Sequence, residues 1–244
     1  MSDFDNSVRD RPPLVYMYHS VSTMTGSDPN YLRVHPDRLA EQLRYLQRRG
    51  RRGVSISYLL NAVRVGSGSS LVGLTFDDGY ADFAEQAVSV LDRFGFTATV
   101  FVVSGRLSDD NGWDRPPRLP LMSPQQIRAV RTAGHEVGSH SSRHVRLKGL
   151  PPADLTIEVA ESRRQLEDLL GKPVVGFCYP YGSFDAAAMR CVEEAGYNYA
   201  CATTSYESAG LYCLPRTFVG QRDRSAGLRA KELRHWARST GLLR

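Results

Sequence analysis

Four short stretches of this 244-residue chain hold side chains able to do acid–base or metal chemistry: Tyr18-His19-Ser20, Asp77-Asp78-Gly79, His140-Ser141-Ser142-Arg143-His144 and Tyr179-Pro180-Tyr181-Gly182. Each stands where an apolar run gives way to polar residues. In Leu74-Thr75-Phe76-Asp77-Asp78-Gly79, two adjacent carboxylates close a buried strand, where repulsion and desolvation oppose ionisation unless a cation is present. One carboxylate can ligate a metal while its neighbour faces the bound water. A plainer reading makes Asp77 or Asp78 the N-cap of a helix beginning near Tyr80. His140 and His144 are four apart, so in helical or turn geometry both imidazoles can reach one ion; otherwise they are two unrelated loop histidines. One carboxylate and two histidines, with water completing the shell, form the open arrangement of a catalytic zinc or similar divalent site. Such an ion polarises a carbonyl and lowers the pKa of its water, and the spare carboxylate, Asp77, takes the proton. An amide or ester hydrolase follows.

The elements that must position these groups alternate from end to end. Strands are expected at Leu14–Tyr18, Leu71–Asp77, Ala98–Val103, His135–Ser139, Val174–Tyr179, Tyr199–Ala202 and Phe218–Val219. Helices are expected at Pro36–Arg49, Ser57–Val65, Tyr80–Phe94, Ser123–Thr132, Ala153–Leu170, Asp185–Ala195 and Gly227–Arg238, punctuated by Ser123-Pro124 and by Gly50, Gly95, Gly134, Gly171 and Gly196. Roughly seven β/α units in one domain imply a parallel barrel or a doubly wound sheet, with functional groups at the carboxyl ends of the strands. Asp109 to Pro120 reads as an irregular loop.

Composition sets outer limits. With 41% hydrophobic and 23% charged residues, the chain is an ordinary globular domain, and the disordered and collagen-like classes drop out. No apolar run approaches the roughly 20 residues of a membrane span, and the polar start MSDFDNSVRDRPP lacks a secretory core. The chain as written is therefore expected in the cytoplasm, or exported if a native leader is missing. The net charge is +5, from 31 basic and 26 acidic residues, and the densest cluster is Arg48, Arg49, Arg51 and Arg52. That scatter argues against a nucleic-acid partner. Cys178, Cys191, Cys201 and Cys213 include no C-x-x-C pair, so free buried thiols are the default and a Cys201–Cys213 bridge the variant for an exported protein.

Thr75-Phe76-Asp77-Asp78-Gly79 and His140-Ser141-Ser142-Arg143-His144 resemble the first two signature motifs of the polysaccharide deacetylases, the NodB-homology domain of carbohydrate esterase family 4. Tyr179-Pro180-Tyr181-Gly182 is similar to the third, and the resemblance covers roughly residues 12 to 220. It implies a single deformed (β/α)₇ barrel, a divalent metal, most simply Zn²⁺ (Co²⁺, Ni²⁺ or Fe²⁺ would also be accepted), and removal of N-acetyl groups from an amino sugar. By position Asp77 would be the general base, Asp78, His140 and His144 the metal ligands, and the Tyr181 backbone N–H an oxyanion donor. Residues 1–11 are then a flexible segment and 221–244 a basic helical segment packed on the barrel.

Two departures stand out. The third motif usually carries an arginine three residues before the proline, where this chain has Phe177; Arg216 would supply the missing guanidinium from another strand or serve as a surface arginine. The family's late Leu-x-His has only Leu233-Arg234-His235 to match it, in a basic helix. Met17-Tyr18-His19 resembles that motif moved to the first strand, as in the circularly permuted poly-N-acetylglucosamine deacetylases. His19 is accordingly expected as general acid, with Met17 near the acetyl methyl, or else as a satisfied strand-end histidine. Trp113 could stack on a sugar or simply pack; His135 is expected to hydrogen-bond inside the barrel, His35 to cap a helix and Trp236 to pack its helix down. Two further readings remain: an N-deacylase of a small intracellular acetamido sugar, and a silent carbohydrate-binding barrel. The oligomeric state is not encoded.

Overall fold

Each of the seven apolar runs becomes a strand: β1 Val15–Tyr18, β2 Leu71–Phe76, β3 Thr99–Val102, β4 Glu136–Ser139, β5 Gly176–Cys178, β6 Tyr199–Cys201 and β7 Thr217–Phe218. The computed structural model describes residues 3–23, 26–203 and 209–240. All neighbouring strands are parallel, in the order β7-β1-β2-β3-β4-β5-β6. Their residues are almost all buried, as strands covered on both faces must be. The sheet curls far enough for its ends to meet. Leu214 pairs in parallel with Cys201, its N–H donating to Ala200 O at 2.8 Å, and three residues later Thr217 and Phe218 pair with Tyr16 and Met17 of β1. This short bridge makes a deformed seven-stave barrel, as the resemblance implies.

The deformation has local causes. Arg52–Val54, a strand the sequence does not announce, pairs with the first half of β2 on the edge where β3 takes the second half. Ser20–Val21 and Arg33–Val34 form a separate small ladder beside the barrel mouth. Helical punctuation follows expectation: His35 caps Pro36–Arg48, and Ser123 and Gln126 form a capping box on Pro124–Thr132.

Two expectations about helices need correction. Residues 3–10, expected as flexible, form a helix with Val8 buried and Asp5 accepting the Leu211 N–H at 2.8 Å. Phe4 and Val8 alone are too weak an apolar signal, and tertiary contacts supply the rest. The helices expected at Tyr80–Phe94 and Ala153–Leu170 each contain a widened π turn, at Phe83–Ala87 and Ile157–Glu161. The last helix runs over Ser225–Ser239 and buries Leu228, Glu232 and His235. All four cysteines are free thiols, so Cys201 and Cys213 are not bridged. Among the described residues no helix is long and apolar enough to cross a membrane.

Candidate active site

The carboxyl ends of the strands bring the chemically distinctive residues into one pocket of about 250 Å³, lined among others by Met17, His19, Asp77, Asp78, Trp113, His140, His144, Tyr181 and Arg216. Asp78 Oδ1 lies 3.3 Å from His140 Nε2 and 3.2 Å from His144 Nε2, and these three buried residues can hold a metal ion. The two histidines share a loop rather than a helix. In it Ser141 and His144 take positive φ values of 65° and 59°, while Asp78 takes 71° and Tyr181 57°. Four non-glycine residues in the left-handed region, all at one site, mean that the surroundings dictate the backbone there.

For the histidine loop much of that dictation comes from Glu158, which sequence reasoning missed. It is fully buried, and its carboxylate accepts the backbone N–H groups of Ser142 at 3.1 Å and Arg143 at 2.9 Å, and Arg143 Nε at 2.5 Å. From the other side, Ser104 N donates to Ser141 O and Gly105 N to Ser142 O. The histidine loop is thus held at several points, and Glu158 reaches it from the widened turn at Ile157–Glu161.

The donor set fits a cation. His140 Nδ1 stands 2.8 Å from Cys178 O, and since a carbonyl cannot donate, the proton is on Nδ1. A neutral His140 therefore turns the lone pair of Nε2 toward the carboxylate of Asp78, two acceptors facing each other. Only a proton or a metal ion between them relieves that contact. Burial pushes the His140 imidazole down, yet Cys178, Asp78 and Asp77 together raise it well above its ordinary value, so the site favours positive charge. Burial also lowers His144, against its bond to Asp78, which favours the neutral ligand form.

Beside this triad sits a second pair. Arg216, fully buried, forks onto Asp77 with Nη1 at 2.6 Å from Oδ1 and Nη2 at 2.8 Å from Oδ2. The guanidinium is itself fixed by Ala202 O at 2.8 Å and Thr75 Oγ1 at 3.1 Å. Burial alone would raise the Asp77 carboxyl; the charge and hydrogen bonds of Arg216 outweigh it and hold the group below its ordinary value. Arg216 is not a surface residue. Phe177 packs instead with Tyr179 and Tyr197, while the next residue, Cys178, turns inward to within 3.7 Å of Asp77.

His19 Nε2 lies 3.9 Å from Asp77 Oδ2, on the open side of the pocket. Met17 and the Pro180–Gly182 turn line the same space, and a Cβ at Gly182 would collide with Thr203, so that turn needs glycine. Trp113 stacks on the His144 ring at 4.2 Å and 29°, and the Tyr181 ring meets the same imidazole edge-on at 4.6 Å. Asn30, Leu32, Asp114 and Thr203 also line the pocket and carry no sequence signal that would single them out. The remaining histidines stay outside the site. His135 Nδ1 accepts the Ala98 N–H at 3.2 Å, and His235 binds Pro12 O at 3.1 Å, on the segment that enters β1. Trp236 packs against the main core, under the guanidinium of Arg11.

Comparison with known proteins finds relatives of this chain by sequence and by fold. The polysaccharide deacetylase family model matches residues 64–200. The putative polysaccharide deacetylase YxkH of Bacillus subtilis (strain 168) is 25% identical over 211 residues, spanning 84% of this chain and 70% of that protein. A chitooligosaccharide deacetylase of Sinorhizobium fredii is 31% identical over 143 residues, 58% of this chain and 60% of that protein. Among solved structures, the Streptococcus pyogenes deacetylase PplD in complex with acetate superposes with a TM-score of 0.77 at 21% identity, covering 90% of this chain and 97% of that one. IcaB from Ammonifex degensii does so with a TM-score of 0.74 at 23% identity, covering 91% and 97%.

Proposed function

This chain belongs to the polysaccharide deacetylase family, and from that premise we propose that it hydrolyses N-acetyl groups from an N-acetylated amino sugar or its oligomer. The observation that carries the reading is the pairing of a metal-ready triad, Asp78, His140 and His144, with an ionised carboxylate, Asp77, held beside it by Arg216.

A divalent ion, Zn²⁺ in the first instance, would be held by Asp78, His140 and His144, and when bound it supplies Lewis acidity that polarises the acetyl carbonyl and acidifies water. Asp77 takes the proton of the attacking water, and Arg216 keeps that carboxylate anionic and aimed. The Tyr181 N–H donates to the oxyanion that develops on the carbonyl oxygen. His19, whose Nε2 lies 3.9 Å from Asp77 Oδ2, gives its proton to the departing amine. Met17 packs near the acetyl methyl, and Trp113, stacked on His144, walls the sugar side.

The test is amine release from zinc-loaded protein across a ladder running from N-acetylglucosamine to its β-linked tetramer and hexamer. A rate that climbs with length supports an oligomer substrate, whereas full activity on the monosaccharide moves the reading to a small acetamido metabolite. Metal binding with no amine release from any member would leave a silent carbohydrate-binding barrel.

A further inference from the structure

The segment that contributes Asp77 and Asp78 carries a third aspartate, Asp82, in the run Asp77-Asp78-Gly79-Tyr80-Ala81-Asp82. Its side chain turns away from the triad toward the chain leaving β1. Asp82 Oδ2 accepts the hydroxyl of Ser20 at 2.5 Å, and Oδ1 accepts the Val21 N–H at 3.1 Å. On the other side of His19, the Asp77 N–H donates to Tyr18 O at 3.0 Å. The residues on both sides of His19 are therefore tied to the segment that holds the base.

This matters because the His19 ring has little else to orient it. Its Nδ1 is buried and has no hydrogen-bond partner among the described residues, and its Nε2 lies 3.9 Å from Asp77. A histidine that must deliver a proton to one atom needs its place set; here the backbone on either side fixes the point from which the side chain starts, and Phe218 packs beside the ring with centroids 6.2 Å apart. We propose that Asp82 is a positioning residue for His19: by clamping Ser20 and Val21 it fixes the proton donor relative to Asp77. The proposal rests on the reading of His19 as general acid.

Two further observations support it. Ser20 and Val21 pair with Arg33 and Val34, and that ladder carries the loop whose Asn30 and Leu32 line the pocket, so one clamp also steadies the pocket wall. Burial pushes the Asp82 carboxyl up to about 6 despite the bonds from Ser20 and Val21, and neighbouring Glu85 adds to the rise. The carboxylate that makes both bonds is thus held in the fold against its own desolvation.

The experiment measures deacetylation of the β-linked N-acetylglucosamine tetramer by zinc-loaded Asp82→Ala, His19→Ala and the double variant, with zinc content determined for each. Asp82→Ala should lose about tenfold to a hundredfold in kcat, with a much smaller change in KM and with full zinc content. Asp82→Asn, able to accept from Val21 and donate to Ser20, should restore most of that loss. In the His19→Ala background, Asp82→Ala should cost less than about threefold, because its target is gone. A wild-type kcat in Asp82→Ala, or an equal fold loss in both backgrounds, overturns the proposal. A fully active His19→Ala overturns the general-acid reading, and this proposal with it. Should Asp82→Ala fail to fold, Ser20→Ala removes only the hydroxyl arm and carries the same test with a loss of about threefold to tenfold.

Discussion

Arg216 grips Asp77 with both terminal nitrogens, at 2.6 and 2.8 Å, across 139 residues of chain. The pair joins the closing bridge of the barrel to its second strand, so that the step completing the ring also brings the guanidinium to the carboxylate proposed as base.

Arg216→Met would leave Asp77 buried with its charge uncompensated, a loss of about 3–5 kcal/mol in unfolding free energy by urea titration. Arg216→Lys keeps the charge but not the fork, so it should cost less stability and still lower kcat. Because Asp77 in the folded protein lies below its ordinary value, the stability this pair contributes is present above the ordinary carboxylate range and is lost as pH falls through the folded value. An Arg216→Met protein as stable as wild type at pH 7 would contradict the ion pair's role.

The proposed base and the proposed metal ligand are separable by metal analysis. Asp77→Asn should retain zinc and lose about 10²–10⁴-fold in kcat, whereas His140→Ala should lose the zinc itself. Full hydrolysis by Asp77→Asn would remove Asp77 from the mechanism.

For His19, the pH–rate profile is the informative measurement. The alkaline limb of kcat should disappear in His19→Ala together with most of the rate, since the group that must be protonated is gone. An unchanged alkaline limb would assign the proton donor elsewhere.

Glu158 offers a test of the histidine loop that needs no turnover. Glu158→Gln weakens the charge-assisted bonds to Ser142 and Arg143, and the zinc dissociation constant by competition with a chelator should rise about 10- to 100-fold. Unchanged zinc affinity would mean that Ser104 and Gly105 suffice to hold the loop.

His235 predicts an acid sensitivity unrelated to catalysis. Burial pushes its imidazole down to about 4, against the hydrogen bond to Pro12 O. The unfolded chain binds a proton near pH 6.5 that the folded one refuses, so the protein is most stable above that pH. About 3 kcal/mol should be lost as pH falls from 6.5 to 4. His235→Gln, which cannot titrate, should flatten this part of the stability–pH curve measured by thermal unfolding.

Local chemistry explains what was readable in advance. Apolar runs such as Leu71–Phe76 announce strands because a parallel stave is buried on both faces, and Ser123-Pro124 announces a helix start because the cap bonds are local. The helix at Asp3–Asp10 stayed hidden because its support, Asp5 on Leu211, lies 206 residues away. Glu158 and Asp82 were hidden for the same reason: each reads as an ordinary polar residue of an amphipathic helix until its partner arrives.

By itself the sequence determined which groups stand at strand ends, because a carboxylate or imidazole following a buried apolar run has nowhere else to go. Asp77, Asp78, His19 and His140 were legible in that way, and His144 by its spacing of four from His140. Only the tertiary structure decided how they work together. Arg216 had two open readings until the chain curled far enough for Leu214 to pair with Cys201, and the spacing of two histidines became a site only when Glu158 held their loop against Asp78. Sequence spacing sets what one element can present, whereas the distance between groups on different elements is set by ring closure and by buried charges that must find each other.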